Sequence, residues 1–301
     1  MNAAFHQIFI IFLVILAGYG FRKAHFITEE STSALSGIVV NLILPFFLFS
    51  SILNSNSLVG ASGVFLSLGL STFMFFLSGL SGVLFVRIFH VPESDKGVYI
   101  FELLCGNTAY MGILVCSAVL GSSSVFYASL LNIPYELICF SLGIFLLSGK
   151  FSFRKILNPP FLSALAAVIL YLFHVPVPKI LMDGCSFLGQ ATSPCAMLII
   201  GSTLADVPFR DLFNDLRVIP YLIIRLFGLG ALMMVLLHPL SIDPLLRGVL
   251  ILMASMPGAT NSTMLCHIYG GNKALSAKLI FLSTALSAIS IPIWAALLSR
   301  F

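Results

Sequence analysis

Apolar runs about as long as a bilayer is thick recur along the whole 301-residue chain. A helix needs about 20 consecutive apolar residues to cross a hydrocarbon core of roughly 30 Å. Because these runs follow one another and only 9% of the residues are charged, no stretch is left for a separate soluble domain. The sequence therefore predicts an all-α polytopic membrane protein, since helices satisfy their own backbone groups within lipid.

Polar breaks divide the chain into ten apolar runs, each of which predicts a transmembrane helix. The predicted spans are residues 5–21, 35–53, 60–89, 98–121, 124–148, 157–174, 184–205, 216–237, 244–268 and 275–299.

The basic residues orient these spans. With the N-terminus outside, eleven of the 15 lysines and arginines fall in cytoplasmic loops, three fall outside, and Arg225 lies within a span. The eleven are Arg22, Lys23, Arg87, Lys96, Lys150, Arg154, Lys155, Arg210, Arg217, Lys273 and Lys278. The positive-inside rule therefore predicts a protein of the cytoplasmic membrane with both termini on the extracytoplasmic side.

Composition excludes several other classes of protein. The basic residues are scattered singly and form no basic stripe, which argues against a nucleic-acid partner. The six cysteines lie in or beside apolar runs without a CxxC pair or a histidine at ligand spacing. They are expected to be free thiols, and the sequence predicts neither a metal site nor a cofactor.

The two halves of the chain resemble each other at an offset near 150. Matching landmarks at an offset of 149 are Phe12 with Phe161, His25 with His174, and Pro45 with Pro194. Apolar residues recur by chance, but prolines and histidines do so less readily. Residues 1–149 and 150–301 each hold five predicted spans, an odd number, so the second copy enters the membrane from the opposite side. This inverted repeat is typical of secondary transporters.

Small and polar residues interrupt the fourth span at 105–112 and the ninth at 255–263, at equivalent positions of the two repeats. Broken backbone at membrane depth is tolerated only inside protein or along a cavity. The half-helices that begin after the breaks would aim amides at an anion. The candidate substrate-binding residues are Gly106, Asn107, Thr108, Pro257, Thr260, Asn261 and Ser262, with Asn41 and Gln190 as secondary candidates beside prolines. The alternative is that glycine and proline merely kink closely packed helices.

Three charged residues are predicted within spans. Glu136 is expected near mid-membrane, either as the carrier of a coupling proton or as a static partner of Arg225. Glu102 is expected nearer the cytoplasmic interface, in an ion pair or snorkelling to the surface. Arg225 either draws an anionic substrate inward or is neutralised by one of these glutamates.

The sequence resembles the auxin efflux carrier family, which includes plant PIN-type carriers and bacterial carriers for malate or malonate. The matching stretches are Gly18-Tyr19 with Arg22-Lys23, Asn41-Leu42-Ile43-Leu44-Pro45, Gly106-Asn107-Thr108, and Met256-Pro257-Gly258-Ala259-Thr260-Asn261-Ser262. The family often has a proline shortly after its Gly-Asn-Thr, whereas this chain reads Gly112-Ile113-Leu114.

The resemblance implies a bile acid symporter type of fold. Spans 1, 2, 6 and 7 would form a scaffold that makes a homodimer. Spans 3–5 and 8–10 would form a transport domain in which the fourth and ninth spans cross.

Together these features predict a secondary carrier that moves a small organic anion by an elevator type of alternating access. A coupling proton is favoured over sodium because no acidic cluster resembles a sodium cage. ATP is not the direct energy source, since no Walker motif occurs. An intramembrane enzyme is disfavoured because no HExxH or GxSxG motif occurs. A transporter-like sensor that binds a ligand without moving it remains an alternative.

Overall fold

The computed structural model describes residues 2–54, 59–148, 157–206, 215–259, 262, 265–266 and 271–299, and these residues are predominantly helical. The α-helices are α1 Asn2–Lys23, α2 Glu29–Ile38, α3 Leu44–Leu53, α4 Ala61–Ile88, α5 Glu93–Leu104, α6 Ile113–Leu120, α7 Ser124–Ile138, α8 Ile144–Ser148, α9 Pro159–Leu172, α10 Lys179–Gly189, α11 Thr192–Ala205, α12 Val218–Ile223, α13 Leu229–Leu237, α14 Pro244–Ala254 and α15 Lys273–Leu298. Turns of π-helix link several of them, at Val39–Ile43, Thr108–Gly112, Cys139–Gly143 and Ile224–Gly228.

In the described part of the chain, six continuous helical segments are long and apolar enough to cross a membrane. They are Glu29–Leu53, Ala61–Ile88, Ser124–Leu147, Lys179–Ala205, Val218–Leu237 and Lys273–Leu298, and they correspond to six of the ten predicted spans. The remaining predictions fall on α1, on the pair α5 and α6, and on the shorter apolar helices α9 and α14. The all-helical membrane class is therefore confirmed, while the count of ten spans stays a prediction.

Two helices end where the sequence predicted interruptions. Helix α5 ends at Leu104, because Cys105 is extended (φ −106°, ψ 106°), and the helix resumes at Thr108 with Asn107 as its N-cap. Helix α14 ends at Ala254, just before Pro257, which has no amide hydrogen to continue a helix. The two half-helices have similar lengths, 12 and 11 residues.

A small hydrophobic cluster joins α1, the π turn at Val39–Ile43 and α11, separately from the larger core. Its buried members are Ile15, Val39, Ile43, Ala196, Met197, Ile199, Ile200 and Leu204. Gly18 and Gly201 let the backbones of α1 and α11 approach closely, because a Cβ at either position would meet main-chain atoms of the other helix. Close packing through glycine is a common way for membrane helices to associate.

Several matched landmarks of the two halves adopt the same local structure. His25 and His174 follow the ends of α1 and α9 with φ of 62° and 53°, in the left-handed region that few non-glycine residues adopt. Pro45 and Pro194 lie in the first turns of α3 and α11, and Pro45 comes two residues after the π turn that leads into α3. No disulfide bond joins any of the six cysteines, all of which lie in the described part of the chain.

Candidate functional site

The two interrupted segments are hydrogen-bonded to each other through their backbones. The amide of Asn107 donates to the carbonyl of Pro257 (2.8 Å), and the amide of Ala259 donates to the carbonyl of Cys105 (3.2 Å). These bonds form an antiparallel bridge between Gly106 and Gly258. Backbone groups that lost their helical partners at the breaks thereby satisfy one another, as buried backbone requires.

Arg225 connects the ends of the two half-helices. It projects from the π turn at Ile224–Gly228 and is 2% exposed. Its Nε donates to the carbonyl of Met256 (2.7 Å) and its Nη1 to the carbonyl of Leu103 (2.9 Å). Both carbonyls lie at the C-terminal end of a half-helix, where the helix dipole favours a cation. A Cβ at Gly106 would overlap Nη2, so only glycine fits beneath the guanidinium.

The predicted ion pair of Arg225 with a glutamate is not formed. Among the described residues, the ion pairs of the protein lie elsewhere, and no carboxylate is within ion-pairing distance of Arg225. Instead of a carboxylate, Arg225 has the backbone carbonyls of Leu103 and Met256 as its hydrogen-bond acceptors. Two of its five N–H donors are thus committed to the backbone, which gives this arginine a structural role.

A neutral polar cluster surrounds the start of the π turn at Thr108–Gly112. Asn107 is 3% exposed, and its Oδ1 accepts from the amide of Met111 (3.3 Å). Its Nδ2 has no partner among the described residues. Thr108 Oγ1 donates to Oδ1 of Asn132 on α7 (3.4 Å), and Ser129, one turn earlier, also has an unpartnered buried hydroxyl. The cluster therefore contains hydrogen-bond donors that have no partner among the described residues, and none of its members is charged.

Glu102 is fully buried beside the bridge, so its carboxylate does not snorkel to the protein surface. Its Oε1 accepts hydrogen bonds from Oγ of Ser262 and from Oγ of Ser276 (3.0 Å). Its Oε2 has no partner among the described residues. That oxygen lies against Gly258, since a Cβ there would overlap it and would be 3.0 Å from Oη of Tyr221. The Tyr221 hydroxyl lies near Ser283, whose Oγ accepts from the amide of Gly258 (3.1 Å).

Glu136 is held at the start of α9 rather than by Arg225. It is 3% exposed, and its Oε2 accepts from Nδ2 of Asn158 (3.0 Å). Asn158 caps α9, because its Oδ1 accepts from the amide of Phe161 (2.9 Å). A carboxylate near a helix N-terminus is favoured by the helix dipole. Glu136 and Asn158 thus join α7 to α9.

The remaining candidates divide into two groups. Gly106, Pro257 and Ser262 are buried at or beside the bridge. Thr260 and Asn261 lie outside the described residues. Asn41 and Gln190 are exposed, and Asn41 donates only to the carbonyl of Gly37 in its own helix (2.9 Å). The structure does not bring these last two into the buried cluster.

Ser129, Asn132, Asn158 and Tyr221 are polar residues of the site that the sequence prediction missed. The sequence contained one weak indication of these residues. Asn132 lies within the fifth predicted span two residues before Pro134, and polar residues in the middle of a span are uncommon.

The helices and the buried polar site define a multi-pass membrane protein of the transporter class. The chain belongs to the family described as "Membrane transport protein", whose model matches residues 3–152 and 144–295. The predicted resemblance to the auxin efflux carriers is thereby confirmed.

Similar proteins span nearly the whole chain. A protein of Methanocaldococcus jannaschii named as an uncharacterized transporter is 25% identical, covering 95% of this chain and 96% of the relative. An uncharacterized transporter of Methanothermobacter thermautotrophicus is 26% identical, covering 96% of both. A Rhizobium meliloti protein named "Putative malonate transporter" is 25% identical, covering 87% of this chain and 85% of the relative.

The contact between Glu136 and Asn158 gives a first prediction. Asn158→Ala removes both the cap of α9 and the donor to Glu136, so we expect a loss of about 1–2 kcal/mol of stability. Glu136→Gln keeps an acceptor oxygen for Asn158, so its cost should be smaller. Melting temperatures of the two purified variants in detergent measure the difference. Equal melting temperatures for Asn158→Ala and the unaltered protein would contradict this assignment.

Proposed function

We propose that the protein is a secondary carrier that moves a small organic anion across the membrane by alternating access. The observation that carries this proposal is the antiparallel bridge between two interrupted segments, with buried neutral donors beside it. Interrupted helices at equivalent positions of two repeats are where such carriers bind substrate.

In the proposed architecture, ten spans form two inverted repeats, residues 1–149 and 150–301. The fourth and ninth spans cross, and both termini lie outside. The shared local structure of His25 with His174 and of Pro45 with Pro194 supports the repeat. The similar half-helices α5 and α14, each ending beside the bridge, support the crossing.

An elevator movement would slide spans 3–5 and 8–10 against a scaffold of spans 1, 2, 6 and 7. The most extensive packing between helices lies within the proposed scaffold, where α1 packs on α11 and α3 packs on α9, and α3 also packs on α10. Helices α4, α5, α7 and α14 likewise pack among themselves. The contact of α7 with α9, which includes Glu136 and Asn158, would lie at the boundary that slides. The proposed homodimer through the scaffold rests on the family resemblance.

The neutral cluster favours a carboxylate as the substrate group. The spare Nδ2 of Asn107 and the hydroxyl of Ser129 are donors that suit an anion. Helix amides at the start of the π turn add the positive end of a dipole. The relative named as a malonate transporter makes malonate the first compound to test.

Binding is tested by thermal shift of the purified protein against malonate, malate, succinate, lactate, indole-3-acetate and neutral amino acids. A ligand at a hundred times its dissociation constant stabilises the folded state by about 2.7 kcal/mol. Stabilisation by one class of anion, followed by flux of that anion into proteoliposomes, supports the carrier. Binding without flux would instead indicate a sensor, and stabilisation only by neutral or cationic compounds would overturn the anion site.

Substitution of Asn107 tests the site directly. Asn107→Ser keeps an oxygen that can cap the π turn but removes the amide donor, and Asn107→Ala removes both. We expect each to weaken anion binding about tenfold, because a hydrogen bond to a charged group contributes about 1.5–3 kcal/mol. Isothermal titration measures the change.

Asn41→Ala is the matched control, since this exposed asparagine bonds only within its own helix. Its anion affinity should equal that of the unaltered protein. Unchanged affinity in both Asn107 variants would place the substrate site elsewhere.

A further inference from the structure

The carboxylate of Glu102 occupies an unusual environment for a charged group. It is fully buried, two serine hydroxyls donate to Oε1, and Oε2 has no partner among the described residues. An ionised carboxylate in such a place is costly unless a cation or further hydrogen bonds compensate it. Arg225 is near, but its Nε and Nη1 donate to Met256 and Leu103.

One oxygen of Glu102 is available to carry a proton. Oε2 lies against Gly258 and has no partner in the described structure, so a proton there displaces no hydrogen bond. The Tyr221 hydroxyl also lies next to Gly258, near Ser283. The ionised form keeps the two serine donors on Oε1. The site can therefore accommodate both the ionised and the protonated form of Glu102.

The position of Glu102 connects it with both halves of the bridge. It lies on α5, two residues before the helix ends, while its serine partners lie at Ser262 and on α15. Asn107, the candidate substrate residue, is bonded to Pro257, the neighbour of Gly258. Glu102 is therefore connected, through Gly258 and Pro257, with the segment that carries the candidate substrate residue Asn107.

We propose that Glu102 binds and releases the proton that is transported together with the anion. This assignment rests on the proposed carrier function and deepens it. A proton that moves with the anion removes one unit of negative charge from what crosses the low-dielectric site, which lowers the electrostatic cost of the movement.

A proton fits this site better than sodium. The unpartnered oxygen abuts the backbone of Gly258, so little room is left on that side for a coordination shell. A proton needs no cavity. Glu136 is a poorer candidate because its hydrogen bond joins α7 to α9 and, among the described residues, involves no group of the bridge.

The other ionisable groups around Glu102 are few in the described part of the chain. They are Arg225 and Tyr221 from the adjoining π turn and α12, together with the thiols of Cys105 and Cys266. Lys278 lies on α15 two residues beyond Ser276, a spacing that turns it to a different face of that helix. Glu102 is the one carboxylate in this group, so pH dependence is assigned to it.

The test compares Glu102→Gln with Glu136→Gln in proteoliposomes. With a pH difference of one unit and the membrane potential held at zero, symport of one proton per anion supports about tenfold accumulation of malonate. We expect the unaltered protein and Glu136→Gln to accumulate it. Glu102→Gln should lose that accumulation while still exchanging internal for external malonate. Accumulation by Glu102→Gln equal to that of the unaltered protein would overturn the assignment, as would accumulation driven by a sodium gradient without a pH gradient.

A second measurement does not depend on the variant folding. Malonate binding to the unaltered protein, followed with a pH indicator in weak buffer, should take up a proton, and it should do so less at low pH, where Glu102 already carries one. Malonate binding without any proton uptake between pH 5 and 8 would refute the coupling site but leave the carrier intact. No anion binding at all would instead refute the proposed function.

Discussion

Replacing Arg225 with methionine is expected to destabilise the protein by about 4 kcal/mol. Its guanidinium donates to the carbonyls of Leu103 and Met256, and both would remain buried without that donor. Hydrogen bonds from a charged group contribute about 1.5–3 kcal/mol each. Because these two bonds connect the ends of α5 and α14, their loss should also abolish anion transport. Denaturation curves in mixed micelles and flux in proteoliposomes measure the two effects.

Arg87→Met is the matched control, because it makes the same arginine-to-methionine substitution at an exposed position. Its stability should differ from that of the unaltered protein by less than about 0.5 kcal/mol. Arg225→Lys is expected to be intermediate, since an ammonium group cannot reproduce the planar fork that reaches both carbonyls. If Arg225→Met is as stable as Arg87→Met, the arginine does not hold the half-helices together.

The interruptions were predictable because their cause is local. Proline at 257 removes a helix donor and glycine at 106 weakens a helix, wherever the rest of the chain lies. The partners of Arg225 were not predictable in this way. Leu103 is 122 residues away along the chain, and a sequence offers carboxylates as the obvious partners for a buried arginine, not the carbonyls of helix ends.

The full burial of Glu102 was not predictable from the sequence, for a geometric reason. Its position was counted from the start of a predicted span at residue 98, but α5 begins at Glu93 and ends at Leu104. Glu102 is therefore near the inner end of a short half-helix. A role for Asn132 was not predictable because every residue from Phe126 to Glu136 on α7 is buried. Helical periodicity therefore distinguishes no functional face of this helix.

Gly106→Ala is expected to impair transport severely and to cost about 2 kcal/mol of stability, within the range for forcing extra atoms into a packed core. The new methyl group would overlap Nη2 of Arg225, whose guanidinium is fixed by its bonds to Met256 and Leu103. Either the arginine must leave a carbonyl or the bridge must shift. Gly69→Ala on α4 is the control, because a Cβ there meets nothing within 4 Å. Helix propensity alone would make that control neutral or slightly stabilising.

The origin of the Gly106→Ala effect is tested by a double-mutant cycle with Arg225→Met. If the methyl group acts by displacing the guanidinium, its cost should largely disappear once the guanidinium is absent. Residues in direct contact show interaction energies of about 0.5–3 kcal/mol in such cycles. Equal costs of Gly106→Ala in both backgrounds would mean that the backbone of the bridge, and not Arg225, requires glycine at this position. A large coupling would instead establish that Gly106 and Arg225 act as one unit, with the glycine leaving the space through which the arginine reaches both half-helices.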